Sequence, residues 1–519
     1  MNRNTRKKTK TKFNTDLCSD KMTFNECELA ILRHAVDESD KQQSEKMANS
    51  DEVIRMIHIL EDFIRKKKCI CYGGTAINNL LPKHAQFYNK DVEIPDYDFY
   101  TPHALEYAKE LADIYYKAGF KEVEAKAGVH YGTFKVFVNF IPIADITFLN
   151  QSIFKSISKD SIKIDNIMYA PPDFLRMSMY LELSRPSGDV SRWEKVLKRL
   201  LLLNKYHPLK PKICRNIDSF KKRTDIYFAT RDTLVEQGVV FFGGYASGFY
   251  SKYAEKMDNN MRIPDFDVLS EEPYKCANVL IDKLKSMNYK KVKMIQRDAI
   301  GEIIPERIEI RVDSESIAFI YKPVACHNYN TISIQEKEIK IATIDTMLSF
   351  YLAFYYSDEP HFSKDRILCM AKFLFDVEQQ NRLEQKGVLK RFSIKCIGKQ
   401  PTIESMRSEK MEKFNELKDK RGTADYDMWF LQYNPKALQN RTKKNKGSLA
   451  QKEVHEPKKE EPKKEEPKKE EPKKEEPKKE EPKKEEPKKE EPKKEEPKKE
   501  EPKKEEPKKE ETEDNSYLF

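Results

Sequence analysis

The chain has 519 residues, room for roughly two or three domains, and 35% of them are charged, more than a purely globular protein needs. Its formal charge of +10 sits mostly at the ends: residues 1–12 hold six bases and no acid, while the body 13–440 keeps only +3, which excludes a globally positive surface and leaves a local basic groove for any nucleic acid. No apolar run approaches the ~18 residues of a membrane helix, so no membrane is expected; nine cysteines without a CxxC pair argue against a zinc site and for a reducing compartment.

Residues 1–50 read as a basic arm and lead-in, and the arm has no apolar segment after it, unlike a secretory signal. "DEVIRMIHILEDFIRKKK" (51–68) has helical periodicity and ends in bases, which suit a helix C-terminus. "CICY" (69–72) is a short buried strand, which accounts for Cys69 and Cys71. Gly73-Gly74-Thr75 turns the chain into the helix "AINNLL". "VEIPDYDFY" (92–100) is a strand, with Pro95 hinting at an edge or bulge. Residues 102–120 form an amphipathic helix with Pro102 in its first turn and Gly119 near its end. Three strand-like runs follow, "KEVEAKAG", "TFKVFVNF" and "IPIADITFL", then the helices "PDFLRMSMYLEL" and "SRWEKVLKRLLLL". His84, His103 and His130 lack the spacing of metal ligands.

The pattern then repeats. "VVFFGGYASGFY" (239–250) parallels "CICYGGTAINNLL", and "MRIPDFDVL" (261–269) parallels "VEIPDYDFY". Gly73 and Gly243 lie 170 residues apart, Asp96 and Asp265 169, and Asp145 and Ser316 171. "MSMYLEL" and "LSFYLAF" keep the same spacing, and "SRWEKVLKRLLLL" loosely parallels "SKDRILCMAKFLF". Anchors at one offset imply a duplicated domain of ordinary size. The expected fold class is α/β, in the sense of an α+β mixed sheet backed by helices, with one copy in residues 51–215 and a second in 216–385. Residues 386–440 form a C-terminal extension without a recognisable motif, in which Asp425-x-Asp427 reads as surface. From Pro457 to Glu511 the unit PKKEE repeats eleven times; proline every fifth residue blocks a helix and nothing apolar can be buried, so 441–519 reads as a disordered linker and tail.

The chemistry-bearing residues lie in the first copy. On a strand, i and i+2 share a face, so Asp96 and Asp98 project together while Tyr97 and Phe99 face the core. Two carboxylates on one face repel, and a divalent metal is the usual reason to keep them. In "IPIADITFL" the period of two puts Ile143, Asp145 and Thr147 on one face and apolar Ala144, Ile146 and Phe148 on the other. If the two strands are neighbours, three carboxylates converge, a set suited to two Mg²⁺ or Mn²⁺ ions and in-line phosphoryl displacement. Gly73 and Gly74 let the backbone approach a phosphate, the next helix N-terminus favours an anion, and Thr75 offers a hydroxyl. Arg192 and Lys195, near the start of "SRWEKVLKRL", are candidates for the triphosphate tail, and Lys135 is a further one. Trp193 reads as core.

The set "GGTAINNLL…IPDYDFY…ADITF…SRPSGDVSRWEKV" resembles the nucleotidyltransferase superfamily, the DNA polymerase β-like fold. Within it, the chain is similar over roughly residues 50–380 to poly(A) polymerase catalytic subunits of large nucleocytoplasmic DNA viruses, poxvirus-type and especially mimivirus-like. The resemblance implies two tandem nucleotidyltransferase-like domains and template-independent addition of AMP from ATP to an RNA 3′-end. It also implies Asp96, Asp98 and Asp145 as metal ligands and Gly73, Gly74 and Thr75 as triphosphate contacts. The implied setting is the virion and the host cytoplasm, in a viral factory. Poxvirus-type proteins carry a further domain ahead of the catalytic one, where this chain has about 50 residues. Expected partners are therefore ATP, an RNA 3′-end, and either a viral processivity subunit or a second copy in a homodimer that forms its own RNA channel.

The second copy keeps Gly243, Gly244, Asp265 and Asp267, but aligns Ser316 with Asp145 and Tyr245 with Thr75, so it is expected to be catalytically silent. Glu315 cannot substitute, because one step along a strand reverses the face. Rival readings are a terminal nucleotidyltransferase of other base preference, an oligonucleotide synthase, and a non-catalytic RNA-binding scaffold.

Overall fold

Helix-forming signals act from the first described residues of the chain. In the computed structural model, which describes residues 15–89, 93–210, 224–254, 266–301, 303–359 and 363–437, α1 (Phe24–Ala48) opens on a capping box of Thr23 and Glu26. The basic arm, Asp265 and the PKKEE repeat lie outside the described residues. Ser50 caps α2 (Asp51–Lys67), acids fill its first turn, Arg65, Lys66 and Lys67 fill its last, and Val53, Met56, Leu60, Phe63 and Ile64 form its buried stripe.

The first half continues with β1 (Ile70–Tyr72), α3 (Gly73–Leu80), β2 (Tyr97–Thr101), α4 (Ala104–Lys117), β3 (Val123–Ala127), β4 (Thr133–Val138) and β5 (Ile141–Phe148). Next come α5 (Gln151–Asp160), β6 (Ile162–Ile164), β7 (Ile167–Tyr169), α6 (Pro172–Leu183) and α7 (Trp193–Tyr206). The second half repeats the series without an α5 counterpart: α8 (Thr224–Glu236), β8 (Val240–Phe242), α9 (Gly243–Tyr250), β9 (Phe266–Leu269), α10 (Pro273–Ser286), β10 (Val292–Arg297), β11 (Arg307–Val312), β12 (Glu315–Tyr321), β13 (His327–Ile334), β14 (Lys337–Ala342), α11 (Ile344–Tyr356) and α12 (Lys364–Gln380). The extension adds β15 (Cys396–Ile397), α13 (Ile403–Leu417), α14 (Ala424–Phe430) and β16 (Gln432–Tyr433).

These strands form two mixed eight-stranded sheets, ordered β16-β3-β4-β5-β2-β1-β7-β6 and β10-β11-β12-β9-β8-β14-β13-β15. Apart from β16 and β15, which close opposite ends, the orders are the same, so the duplication read from the offsets is a duplication of topology. In each sheet the two aspartate-strand neighbours run in the same sense, β2 parallel to β5 and β9 parallel to β12. One continuous hydrophobic core takes in residues of both halves, and α6 packs on its counterpart α11.

Several local expectations are corrected. Asp96 precedes β2 instead of lying in it, because Pro95 supplies no amide to a ladder. The glycine pair is already the first turn of α3, and Pro102 lies outside α4, whose N-cap is His103. Phe148 is 42% exposed at the end of β5, not core. Asp427 is engaged by Lys109 at 2.6 Å and is mostly shielded, unlike a plain surface acid. The β6–β7 hairpin turns on Asp165 and Asn166, both at positive φ, a weaker signal than Asn-Gly. Cysteines pair where none was expected to, Cys18 with Cys27 and Cys326 with Cys396, while Cys69, Cys71 and Cys276 are free and buried.

The extension is tied in by charge. Arg391 donates to Asp345 of α11 through Nε and Nη2 (2.9 and 2.5 Å) and pairs with Glu378 of α12 through Nη1 (2.6 Å). The other Glu378 oxygen accepts from the Tyr180 hydroxyl of α6 at 2.5 Å. All four side chains are buried, so removing the cation strands two carboxylates away from water. Arg391→Ala should lower the stability of the folded chain by about 3–5 kcal/mol, read as a lower denaturant midpoint.

Candidate active site

The site is assembled by register. Antiparallel pairing of β1 and β2 sets Tyr72 against Asp98, and parallel pairing of β2 and β5 sets Asp98 directly beside Asp145. Neighbouring strands lie about 4.8 Å apart, so the two carboxylates start from adjacent Cα positions on one face. Tyr97 and Phe99 are 1% and 0% exposed on the other face, as the alternation requires.

Gly73 follows Tyr72 at φ +72°, in the left-handed region, and a Cβ there would overlap the Asp98 carboxylate. A Cβ on Gly74 would lie 2.6 Å from the Tyr88 hydroxyl and 3.0 Å from Nη1 of Arg199. Gly73 is therefore demanded by its backbone conformation and by the approach of Asp98, while Gly74 lets the Tyr88 hydroxyl and the Arg199 guanidinium come in close on the other side of the α3 N-terminus. Asn78 holds the following loop, its Oδ1 accepting from the amides of Phe87 and Tyr88 at 2.8 and 2.9 Å.

Thr75 departs from its expected part. Its buried hydroxyl donates to the Asp96 carbonyl at 2.6 Å, so the proton foreseen for a phosphate holds the Asp96 backbone instead. Lys135 lies opposite Asp145 across β4 and β5, and its ammonium pairs with Asp145 Oδ2 at 2.5 Å. Among the described residues, no group of three or more His, Cys, Asp or Glu side chains is gathered closely enough to hold a metal as it stands. The three carboxylates share one site, but one of them is occupied by a lysine.

Their electrostatics still suit a cation. Burial, then the negative charges of Asp96 and Asp145, push the Asp98 carboxyl up to about 7, against the opposing pull of Lys135 and Arg192. Asp96, at the open mouth, is raised by loss of solvent around its carboxyl and by Asp145, and lowered by Lys135 and Lys195. Arg192 and Lys195, expected at the triphosphate tail, lie within electrostatic reach of Asp98 and Asp96 respectively; Arg192 belongs to a 3₁₀ turn before α7 and also pairs with Glu182 at 3.3 Å. Trp193 is partly buried and donates its indole N–H to the Glu182 carbonyl at 3.0 Å, a structural part.

Arg199 was not among the sequence candidates. Its guanidinium donates to the Tyr88 hydroxyl at 2.6 Å, lies over the rings of Phe87 and Tyr88, and borders Gly74. The signal for it is spacing: 192, 195 and 199 form an i, i+3, i+7 stripe along one helical face.

In the second half, register overturns one alignment. Asp267 sits opposite Phe319, not Ser316, so the residue equivalent to Asp145 is Phe319. Ser316 instead donates to Glu309 at 2.5 Å. Phe319 belongs to an aromatic cluster with Phe242, Tyr321, Phe350 and Phe354, with Phe242 and Phe350 centroids 4.8 Å apart. The third carboxylate is lost to bulk, by a different residue than the offset implied.

The raised Asp98 pKa has a definite sign. An acid whose folded pKa exceeds its unfolded value near 4 costs nothing below that pH, and its cost grows as pH rises toward about 7. Metal-free protein should therefore lose stability between pH 4 and 7 relative to Asp98→Asn, by on the order of 1–3 kcal/mol at pH 8, measured by denaturant melts.

Residues 58–189 match the family model described as the poly(A) polymerase catalytic subunit. A candidate poly(A) polymerase catalytic subunit of Acanthamoeba polyphaga mimivirus is 29% identical over 273 residues, 50% of this chain and 46% of that one. A candidate of the same description from African swine fever virus is 35% identical over 168 residues, 31% of this chain and 35% of that one. The chain thus matches less than half the length of either relative. The crystal structure of the Megavirus polyadenylate synthase superposes with a TM-score of 0.69 at 21% identity, covering 88% of this chain and 93% of the other, which establishes a shared fold. Over residues 58–189, therefore, the chain carries a domain of the poly(A) polymerase catalytic subunit family.

Proposed function

We propose that this protein is a template-independent poly(A) polymerase that transfers AMP from ATP to an RNA 3′-end and releases pyrophosphate. The observation that carries the reading is Asp98 and Asp145 side by side at the N-terminus of a glycine-led helix, faced by a basic stripe. The matches to poly(A) polymerase catalytic subunits support the choice of reaction.

The α3 N-terminus and the guanidinium of Arg199 receive the triphosphate, with Lys195 and Arg192 along the same face. Thr75 fixes the Asp96 backbone, and Gly73 leaves room for the Asp98 side chain. Asp96, Asp98 and Asp145 would hold Mg²⁺ or Mn²⁺, the donor set and the raised Asp98 pKa both fitting such a cation. When bound, such ions neutralise the phosphates and lower the pKa of the attacking hydroxyl. The RNA 3′-oxygen then bonds to the α-phosphorus, the bond to the β-phosphate bridging oxygen breaks, and the hydroxyl proton passes to a carboxylate. Lys135 must yield Asp145 for this and is then free to meet a phosphate oxygen. The name of the relatives implies a partner subunit, and we extend that to this chain, with a viral factory and the virion as the setting.

Extension of a labelled RNA primer with each NTP in turn tests the reading. Wild type should give long ladders with ATP; Asp98→Ala should abolish them, by more than about 10³-fold, and Asp267→Ala should stay within threefold. Extension with no NTP, or loss in Asp267→Ala alone, would sink it. Arg199→Ala should raise KM for ATP roughly tenfold, the loss of one charge-assisted contact, with a smaller change in KM for RNA.

A further inference from the structure

A cleft of about 620 Å³ opens between the two halves beside Thr147, two residues along β5 from Asp145 and on the same face. Its volume is that of a small-ligand site. The first half lines it with Tyr72, Tyr100 and Phe174, the second with Phe350 and His327. Tyr72 and Tyr100 stack at 3.7 Å and 12°, and the Tyr72 hydroxyl is hydrogen-bonded to Thr147 at 2.9 Å, so the aromatic wall is fixed to the catalytic strand.

His327 is the anomaly in this wall. It is 1% exposed, and neither ring nitrogen has a hydrogen-bond partner among the described residues. Buried polar groups are ordinarily satisfied, so an imidazole at a cleft with both nitrogens unspent points to a ligand that is polar at that spot. Burial and the charge of Arg185 push its pKa down to about 3, so the ring is neutral, with one donor and one acceptor.

The strand around it is an addition to the duplicated fold. Asn330 pairs with Ile341 as Ile162 pairs with Tyr169, so β13 begins three residues before the level at which β6 starts. That added stretch holds His327, whose backbone pairs with Ile397 of β15, while the neighbouring Cys326 is bonded to Cys396. The second half has lost its third carboxylate but has gained a braced histidine that lines the cleft between the halves.

We propose that this cleft takes a nucleobase between its aromatic walls and that His327 reads the polar edge of that base. The inference deepens the polymerase reading and rests on it. A purine has aromatic faces and an edge of donors and acceptors, which is what the wall and the neutral imidazole complement. The base belongs either to the incoming ATP or to the RNA 3′-terminal nucleotide, which share this chemistry.

Equilibrium binding without turnover separates the cases. Affinities for ATP with Mg²⁺, and for a short oligoribonucleotide ending in adenosine, are measured for wild type, His327→Phe and His327→Asn. His327→Phe should weaken one ligand about tenfold, and His327→Asn less. Loss on ATP assigns the cleft to the incoming nucleotide, and loss on RNA assigns it to the primer end. Unchanged affinity for both ligands in folded His327→Phe overturns the proposal. Should that variant fail to fold, wild type decides: ribose 5′-triphosphate binding as tightly as ATP, together with an abasic 3′-end binding as tightly as adenosine, also overturns it. Because binding needs no catalysis, a wild type that binds base-dependently but extends no primer would sink the polymerase reading and leave this one standing.

Discussion

The parallel register of β2 on β5 is the constraint on which the catalytic half depends. It forces Asp98 and Asp145 into adjacent positions on one face, where both charges cannot sit without compensation. The surrounding sequence answers that repulsion. Lys135, directly across from Asp145, neutralises one carboxylate; Asp98 holds its proton to about pH 7; and Arg192, in the turn before α7, and Lys195, in its first turn, add positive charge. Gly73 completes the arrangement, since the chain must leave β1 with no side chain toward Asp98. A slip of one residue between the strands would turn Asp145 into the core and Ala144 or Ile146 outward.

The second sheet tests the same reasoning in reverse. Its strands keep the order, the senses and even the left-handed glycine, Gly243 at φ +70° beside Asp267. What changes is the residue beside that aspartate. With Phe319 in place of a carboxylate, the space for charge fills with rings, and the half is stabilised as apolar core. Freed from catalytic geometry, it can lengthen β13 and line the cleft that the first half's site opens onto.

The two halves and the extension are tied together by buried contacts. Tyr180 from the first half, Asp345 and Glu378 from the second and Arg391 from the extension share one buried network. The extension then adds β15 to the edge of one sheet and β16 to the edge of the other, covering strand edges that would otherwise expose unpaired backbone. A change in how the halves meet would therefore have to break buried charge pairs as well as apolar contacts.

Much of the fold was legible because it rests on short-range physics. Alternation marked β2, β4 and β5, helical periodicity with its end charges marked α2, and a nearly constant offset exposed the duplication before any pairing was known. The shared face of Asp98 and Asp145 was legible for the same reason, since alternation along each strand fixes which side chains point together. Partners across strands were not legible. Offset arithmetic assigned Ser316 to the place that Phe319 holds, because insertions in loops shift numbers without shifting register. Nor could sequence tell that Thr75 spends its proton on Asp96, that Arg199 borders Gly74, or that His327 lacks a partner. The sequence by itself determined which residues could carry charge and which segments could form each element. Only the tertiary structure decided which of those charges meet, because hydrogen bonds and burial between distant segments depend on how strands are paired and not on how they are spelled.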